Sequence, residues 1–213
     1  AGFFMADSNS FRLGGLGSGK GSNFVAVAEA CTRGEIPAEV AIVLSDVEGA
    51  GILSHAERLD MVHRFISPGD YRTKLDEDAE QAYITALREA EVDLVVLAGF
   101  MRILKGEFLR IFEGRVVNVH PSLLPSFPGL QAWKQALDHG VKVTGATVHY
   151  VDQGVDSGAV IAQEPVPIMD DDTPESLHKR IQIVEQRIYP EAIAAIASGE
   201  VSIKGRRTVR KAQ

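Results

Sequence analysis

The sequence is poor in cysteine, in cationic residues and in long apolar runs. Cys31 is the only cysteine among 213 residues, which excludes an intrachain disulfide and a thiolate metal cluster and favours a reducing compartment. Its apolar neighbours predict a small buried core residue. The 29 acidic against 22 basic residues give a net charge of −7, which disfavours nucleic acid as a partner. No run reaches the roughly twenty apolar residues that a membrane span needs, so we expect no membrane partner.

Several familiar catalytic motifs are also missing. None of the six histidines has His-Glu-x-x-His spacing, so we expect no metal site. There is no Gly-x-Ser-x-Gly element that would present a serine nucleophile. The glycine-rich residues 17–23 have neither the Walker order nor the dinucleotide-binding Gly-x-Gly-x-x-Gly spacing. Whatever chemistry the chain performs must therefore come from other residues.

Short β-prone runs alternate with longer helical patterns. Residues 94–98 are apolar at every position, which is typical of a central parallel strand covered on both faces. The alternation predicts an α/β fold in a single domain: a doubly wound, mostly parallel sheet with helices on both faces. The predicted strands cover 11–16, 40–44, 93–98, 115–119, 146–151 and 160–166, and the predicted helices cover 23–33, 50–59, 72–91 and 131–139. A last helix is predicted to begin with Thr173 as its N-cap. Tyr189-Pro190 is predicted to kink or end this helix, and Gly199 to close the helical region.

The two ends of the chain depart from this pattern. Residues 1–10 are predicted to be an N-terminal extension without a basic flank, in which Met5 is a candidate native start. Residues 11–203 are predicted to form the domain. Residues 204–213 are predicted to be a basic, loosely held C-terminal tail.

Two loops, 17–23 and 118–129, directly follow predicted strands. The first reads Gly-Ser-Gly-Lys-Gly-Ser-Asn and joins a strand to a helix, so its backbone amides suit a phosphate. A tight glycine turn that binds nothing explains the same residues equally well. Ligands of open α/β sheets lie beyond the carboxyl ends of the strands, which predicts one cleft between the two loops.

The second loop begins with residues that suit attack on a carbonyl carbon. Asn118 and His120 stand two apart at the end of a strand, so an amide and an imidazole face the same side. Asp156, in the glycine-containing loop 154–158, is a candidate to hold that imidazole as a cation. The plainer alternatives are a histidine satisfied by core hydrogen bonds and an aspartate that only forms a turn.

Together these segments resemble the folate-dependent formyltransferase superfamily. Its mark is an Asn-x-His-Pro-Ser-Leu-Leu-Pro loop, here 118–125, followed by an Asp-containing glycine-rich loop, here 152–158. Residues 19–23, 98–104 and 144–149 are similar to members that act on glycinamide ribonucleotide, and the resemblance spans about residues 11–200. It implies transfer of the formyl group of 10-formyltetrahydrofolate, a cosubstrate, to the amine of glycinamide ribonucleotide in purine biosynthesis. The expected enzyme is a cytoplasmic monomer or homodimer without a metal.

The resemblance also implies roles for individual residues. It assigns catalysis to Asn118, His120 and Asp156, with His149 in support. It assigns the ribonucleotide and its phosphate to Gly19, Lys20, Gly21, Ser22, Asn23, Gln182 and Glu185. It assigns the folate to Arg72, Met101, Arg102, Ile103, Leu104, Asp152, Gln153, Gly154 and Val155. Two departures stand out: Gly14-Gly15 weakens the first strand and is expected to loosen the phosphate loop, and Trp133, where some relatives carry a histidine, is expected to alter folate selectivity.

Other functions remain open. Methionyl-tRNA formyltransferases and formyltetrahydrofolate hydrolases share the trio but carry a further domain, for which we expect no room in 213 residues. The acidic balance also disfavours a tRNA. From a different class, the glycine loop and the alternating pattern fit a nucleotide-binding module without catalysis or a nicotinamide oxidoreductase.

Overall fold

A computed structural model describes residues 10–211, in which strands and helices alternate along most of the chain. The strands are β1 (Phe11–Leu16), β2 (Ala38–Ser45), β3 (His63–Phe65), β4 (Leu94–Leu97), β5 (Val116–His120), β6 (Val143–Tyr150), β7 (Val160–Pro167), β8 (Val201–Lys204) and β9 (Arg207–Arg210). The helices are α1 (Ser22–Thr32), α2 (Gly51–Arg58), α3 (Glu77–Glu89), α4 (Gly106–Ile111), α5 (Ala132–His139) and α6 (Pro174–Ala197). No helix among the described residues is both long and apolar enough to cross a bilayer.

The strands form one sheet in the order β3-β2-β1-β4-β5-β6-β7-β9-β8. The first five in this order are parallel to one another, β6 is antiparallel to both β5 and β7, and β7 is parallel to β9. The chain moves outward from β1 through β2 to β3 and then returns to β4 on the other side of β1. This reversal opens a crevice at the carboxyl ends of β1 and β4. The predicted fold class, a mostly parallel α/β sheet, is confirmed.

Strand β4 shows why helices cover both faces of the sheet. Leu94 and Val96 pack with residues of α1 and α6, whereas Val95 and Leu97 pack with residues of α3 and α4. All four side chains are at most 6% exposed. Burying each of them contributes roughly 1.5–3 kcal/mol. The strand that borders the crevice is therefore held rigidly from both sides.

The glycines of β1 allow close packing. A Cβ on Gly14 would lie 2.6 Å from Cδ2 of Leu87, and one on Gly15 would lie 3.1 Å from the ring of Phe24. Strand β1 nevertheless pairs with both β2 and β4, with an irregularity between Leu13 and Gly14. The two glycines thus bring α3 and α1 close to the strand that precedes the predicted phosphate loop.

Helix α6 begins where the sequence predicts, and it does not end at Tyr189-Pro190. The Thr173 side chain accepts the Ser176 N–H in a capping box, and Pro174 occupies the first turn. The expectation that Tyr189-Pro190 ends the helix is wrong, because α6 continues through Pro190 to Ala197, just before Gly199. Tyr189 is fully buried, and its hydroxyl lies 2.7 Å from the Leu97 carbonyl and 3.0 Å from that of Val117. The helix thus continues although Pro190 has no N–H to donate within it.

The C-terminal prediction also needs correction. Residues 204–210 are not a loosely held tail, because β8 and β9 form a hairpin around Gly205 that joins the sheet next to β7. Thr208 Oγ1 donates to the Val160 carbonyl at 2.8 Å. The boundary predicted at 203 falls inside β8. Except for Ser10, the predicted extension 1–10 lies outside the described residues, as do 212–213.

Three further elements differ from the sequence-based expectations. The helix predicted over 72–91 begins only at Glu77, after Asp76 caps it, and β3 and α4 were not predicted. Cys31 is half-buried at the edge of the core, and this partial burial raises its pKa to about 11.

Candidate active site

A cavity of about 710 Å³ opens at the carboxyl ends of β1, β4 and β5 and brings together both predicted loops. Most predicted site residues line it: Gly19, Lys20, Gly21, Ser22, Asn23, Met101, Arg102, Ile103, Leu104, Asn118, His120, His149, Asp152, Gly154, Val155, Asp156, Gln182 and Glu185. Arg72 and Gln153 do not line it. The Arg72 side chain is exposed, and Gln153 hydrogen-bonds the backbone of Gly106 instead.

His120 is buried with both ring nitrogens directed at protein groups. Its Nε2 lies 2.8 Å from the Phe127 carbonyl, and because a carbonyl only accepts, Nε2 carries a proton. Its Nδ1 lies 3.5 Å from Asp156 Oδ2, longer than an ideal hydrogen bond yet close enough for strong attraction to an imidazolium. Asn118, two residues earlier on β5, is half-buried on the same side of the sheet. An amide and an imidazole therefore line one cavity, and the Nε2 proton of the imidazole is held by the Phe127 carbonyl.

Asp156 differs from the turn-forming aspartate that was the alternative. The turn is made by Asp152, whose Oδ1 accepts the Gly154 N–H at 3.0 Å and the Ser157 hydroxyl at 2.7 Å. Asp156 itself has a left-handed backbone, with φ of 50°, and its Oδ2 accepts the Gly129 N–H at 2.9 Å. This hydrogen bond links the two loops and directs the carboxylate toward His120.

His149, opposite Asn118 on β6, adds an acceptor to the same space. Its Nδ1 donates to the Tyr150 carbonyl at 2.8 Å, and burial lowers its pKa, so that the neutral ring presents a lone pair at Nε2. That Nε2 has no hydrogen-bond partner and lies 3.8 Å from Asp156 Oδ1. Two acceptors that face each other across a gap suit a proton donor between them.

The glycine loop delivers an uncapped helix N-terminus to the cavity. Gly21 precedes α1 with a φ of 77°, no side chain caps the helix, and its first turn contains no acidic residue. A Cβ on Gly21 would lie 2.8 Å from Cα of Ile52, so the position requires glycine for both conformation and space. Free amides and the helix dipole together form a site suited to a phosphate.

Glu185 places a buried carboxyl next to that loop. It is 4% exposed, and burial raises its pKa to about 7, partly offset by a hydrogen bond from Asn23 Nδ2 at 3.4 Å. Asn23 Oδ1 has no partner. A carboxyl and an amide oxygen that are both short of donors suit an amine or ammonium ligand.

The cavity wall formed by Met101, Ile103 and Val155 is apolar. Met101, Ile103 and Val155 are 56%, 42% and 60% exposed, which is high for side chains of this size. Large exposed apolar side chains around a cavity are typical of a site for a flat organic ligand.

Sequence reasoning missed a stacked pair on the cavity wall. The rings of Trp133 and His178 lie parallel, with centroids 3.6 Å apart and an interplanar angle of 4°. His178 stands four residues before Gln182 on α6, so helical spacing from the predicted Gln182 would have identified it. Within the described part of the chain, no group of three histidine, cysteine or acidic side chains is arranged to hold a metal ion.

Comparison with known proteins shows which family the chain resembles along its length. The Formyl transferase family profile matches residues 12–193. The chain is 45% identical over 196 residues to a phosphoribosylglycinamide formyltransferase of Mycobacterium tuberculosis, covering 92% of this chain and 89% of that protein. It is 41% identical over 196 residues to the trifunctional purine biosynthetic protein adenosine-3 of Gallus gallus, covering 92% of this chain but only 19% of that much longer protein.

A solved structure shares the fold over almost its whole length. Glycinamide ribonucleotide transformylase 1 from Symbiobacterium toebii superposes with a TM-score of 0.90 at 45% identity, covering 96% of this chain and 95% of that one. The family profile extends over most of the 213 residues, from β1 into α6. The chain therefore belongs to the Formyl transferase family.

Proposed function

We propose that this protein transfers the formyl group of 10-formyltetrahydrofolate to the primary amine of glycinamide ribonucleotide in purine biosynthesis, giving formylglycinamide ribonucleotide and tetrahydrofolate. The observation that carries the proposal is the convergence of Asn118, His120 and Asp156 on a cavity that also contains the uncapped N-terminus of α1. The Mycobacterium tuberculosis and Symbiobacterium toebii relatives, which are named for this reaction, support it.

The proposed substrate positions follow from the chemistry of the walls. The phosphate binds the amides at Gly21–Asn23, because these donors are uncapped and point into the cavity. The glycinamide amine lies near Glu185 and Asn23, because Oδ1 of Asn23 is buried without a partner. The folate ring packs on the side of Met101, Ile103 and Val155. The formyl carbon is then held between the two substrates, next to the trio.

The proposed reaction begins when the neutral amine attacks the formyl carbon. A new carbon–nitrogen bond forms, and the carbonyl electron pair moves onto oxygen as an oxyanion. The Asn118 amide and protonated His120 donate to that oxygen, and each donor is worth about 3–4 kcal/mol in the transition state. Because Nε2 of His120 is held by the Phe127 carbonyl, the oxyanion is assigned to Nδ1, whose distance of 3.5 Å to Asp156 Oδ2 is too long to engage its proton fully.

Proton transfer completes the reaction. The new ammonium loses a proton, and the folate nitrogen that carried the formyl group gains one as its bond to carbon breaks. The acceptors Asp156 Oδ1 and His149 Nε2 are 3.8 Å apart and suit a bridging water or the ammonium itself along this route. Side chains thus stabilise the oxyanion and move the proton. The folate is a cosubstrate, and no step is assigned to a metal. We propose that the reaction takes place in the cytoplasm, where Cys31 stays reduced. The oligomeric state, a monomer or a homodimer, stays a prediction.

The experiment is a product assay with three acceptors. Purified protein is incubated with 10-formyltetrahydrofolate and either glycinamide ribonucleotide, methionyl-tRNA or buffer alone, and products are identified by mass spectrometry. The proposal expects formylglycinamide ribonucleotide and tetrahydrofolate in equal amounts, and little formate without the ribonucleotide. Formate release at the same rate with and without the ribonucleotide would identify a hydrolase and contradict the proposal.

A further inference from the structure

Three polar side chains meet at the edge of the cavity, beyond the ends of three adjacent parallel strands, and one of them, Arg102, lines it. Ser18 follows β1, Asp46 follows β2 and Arg102 follows β4, and these strands lie in the order β2-β1-β4. The Asp46 side chain is 1% exposed and that of Arg102 is 17% exposed. A charged pair this deep requires full hydrogen bonding, since each partner loses its hydration.

Both oxygens of the Asp46 carboxylate are engaged. Oδ2 accepts Arg102 Nε at 2.7 Å, and Oδ1 accepts the Ser18 hydroxyl at 2.5 Å. The same hydroxyl accepts the Met101 N–H at 2.8 Å. Ser18 thereby connects the start of the glycine loop to Met101, which lines the apolar wall of the cavity.

The other end of Arg102 holds a second segment. Its Nη1 donates to the carbonyls of Tyr71 at 2.6 Å and of Arg72 at 2.7 Å. Directly beyond, the Ile103 N–H donates to the Thr73 carbonyl at 2.8 Å, and Thr73 lines the cavity. Residues 71–73 have no regular structure of their own, so these bonds determine where the segment lies.

We propose that Ser18, Asp46 and Arg102 form a positioning cluster that fixes the apolar wall at 101–104 and the segment 71–73 relative to the glycine loop. Arg102 acts through the backbone it holds, and its guanidinium does not need to contact the folate. This inference rests on the proposed function in that the wall is taken as the folate side. An arginine is required because one planar group donates in two directions, which a lysine ammonium at the same place does not reproduce.

The cluster lies apart from the side chains that act on the formyl carbon. Asn118, His120 and Asp156 belong to β5 and to the loop before β7, and none of them contacts the cluster. Loss of the cluster should therefore weaken folate binding and leave the chemical step nearly unchanged. For one charge-assisted hydrogen bond, the expected loss of affinity is about tenfold or somewhat more.

The experiment compares Arg102→Lys, Asp46→Asn and Ser18→Ala with Arg110→Lys, a control at the exposed pair between Arg110 and Glu107. Calorimetry gives the Kd of tetrahydrofolate, steady-state kinetics gives KM and kcat, and amide hydrogen exchange reports on 70–74 and 101–104. Thermal unfolding identifies variants that do not fold. Ser18→Ala removes only one hydroxyl and keeps the test available if the charged variants unfold.

The expected result is that each cluster variant raises the folate KM and the tetrahydrofolate Kd about tenfold, with kcat within about threefold. Exchange at 70–74 and 101–104 should rise about tenfold. The control should change neither. Unchanged Kd and exchange in folded Ser18→Ala and Asp46→Asn would overturn the inference, as would a fall in kcat at constant KM. A wild-type protein that neither binds tetrahydrofolate nor transfers a formyl group would refute the proposed function instead, and the exchange data would still decide the positioning role.

Discussion

Replacement of Glu185 by glutamine tests the buried carboxyl next to the glycine loop. Burial raises the pKa of Glu185 from the ordinary 4.5 to about 7. At about 1.4 kcal/mol for each pKa unit, the folded state loses roughly 3 kcal/mol when this carboxyl ionises. In the unfolded chain the Glu185 carboxyl ionises above pH 4.5. The loss of folding stability is therefore absent below pH 4.5, grows as pH rises toward 7 and is constant above it. Glutamine has the shape of the protonated carboxyl but never ionises.

Urea unfolding of wild type and Glu185→Gln at pH 5 and pH 8 measures this penalty. The free energy of unfolding of wild type, relative to the variant, should fall by about 2–3 kcal/mol between the two pH values. Glu191→Gln, an exposed position on the same helix, is the control and should follow wild type. Parallel pH curves for wild type and Glu185→Gln would show that ionisation of this carboxyl carries no such penalty. Glycinamide ribonucleotide should also bind Glu185→Gln more weakly, since the amine loses its charged partner.

Three further predictions concern the site. Asp156→Asn keeps the Gly129 hydrogen bond but loses the charge that faces His120, so kcat for formyl transfer should fall about a hundredfold or more with unchanged unfolding temperature; undiminished turnover would exclude the assigned role. Gly21→Ala forces a Cβ against Cα of Ile52 at a φ of 77°, so calorimetry should show a loss of phosphate affinity. The control is Gly34→Ala, because Gly34 also has a positive φ but a Cβ there would meet no atom within 4 Å. Trp133 is the only tryptophan, so intrinsic fluorescence should change when a ligand fills the cavity and when His178→Ala removes the stacked ring; a signal that responds to neither would contradict the stacked arrangement.

The sheet could be predicted where local sequence and tertiary role agree. Residues 94–97 are apolar throughout because both faces of β4 are covered, and Thr173-Pro174 marks a helix start in any context. Strand β3 could not be found in the same way, since it is three exposed residues, His63–Phe65, that pair with β2 at the edge of the sheet. The β8–β9 hairpin was hidden because β9 carries two arginines in four residues and the two strands pair mainly with each other.

The candidate site also combines residues that local sequence places together with residues that only the fold brings together. Asn118 and His120 could be placed together because a spacing of two on a strand puts side chains on one side. The roles within loop 152–158 could not, because only the folded loop reveals that Asp152 makes the turn and leaves Asp156 free to face His120. The contact of Arg102 with Asp46 joins residues 56 apart in sequence and depends on strand order, which no local pattern encodes.

In the proposed reaction, one amide, one imidazole and one carboxylate surround the formyl carbon. A crystal structure with glycinamide ribonucleotide and a non-transferable formyl-folate analogue measures this directly. We expect the formyl oxygen within hydrogen-bond distance of Asn118 Nδ2 and His120 Nδ1, the phosphate on the amides of Ser22 and Asn23, and the amine beside Glu185. A formyl oxygen bound out of reach of both Asn118 and His120 would contradict this expectation.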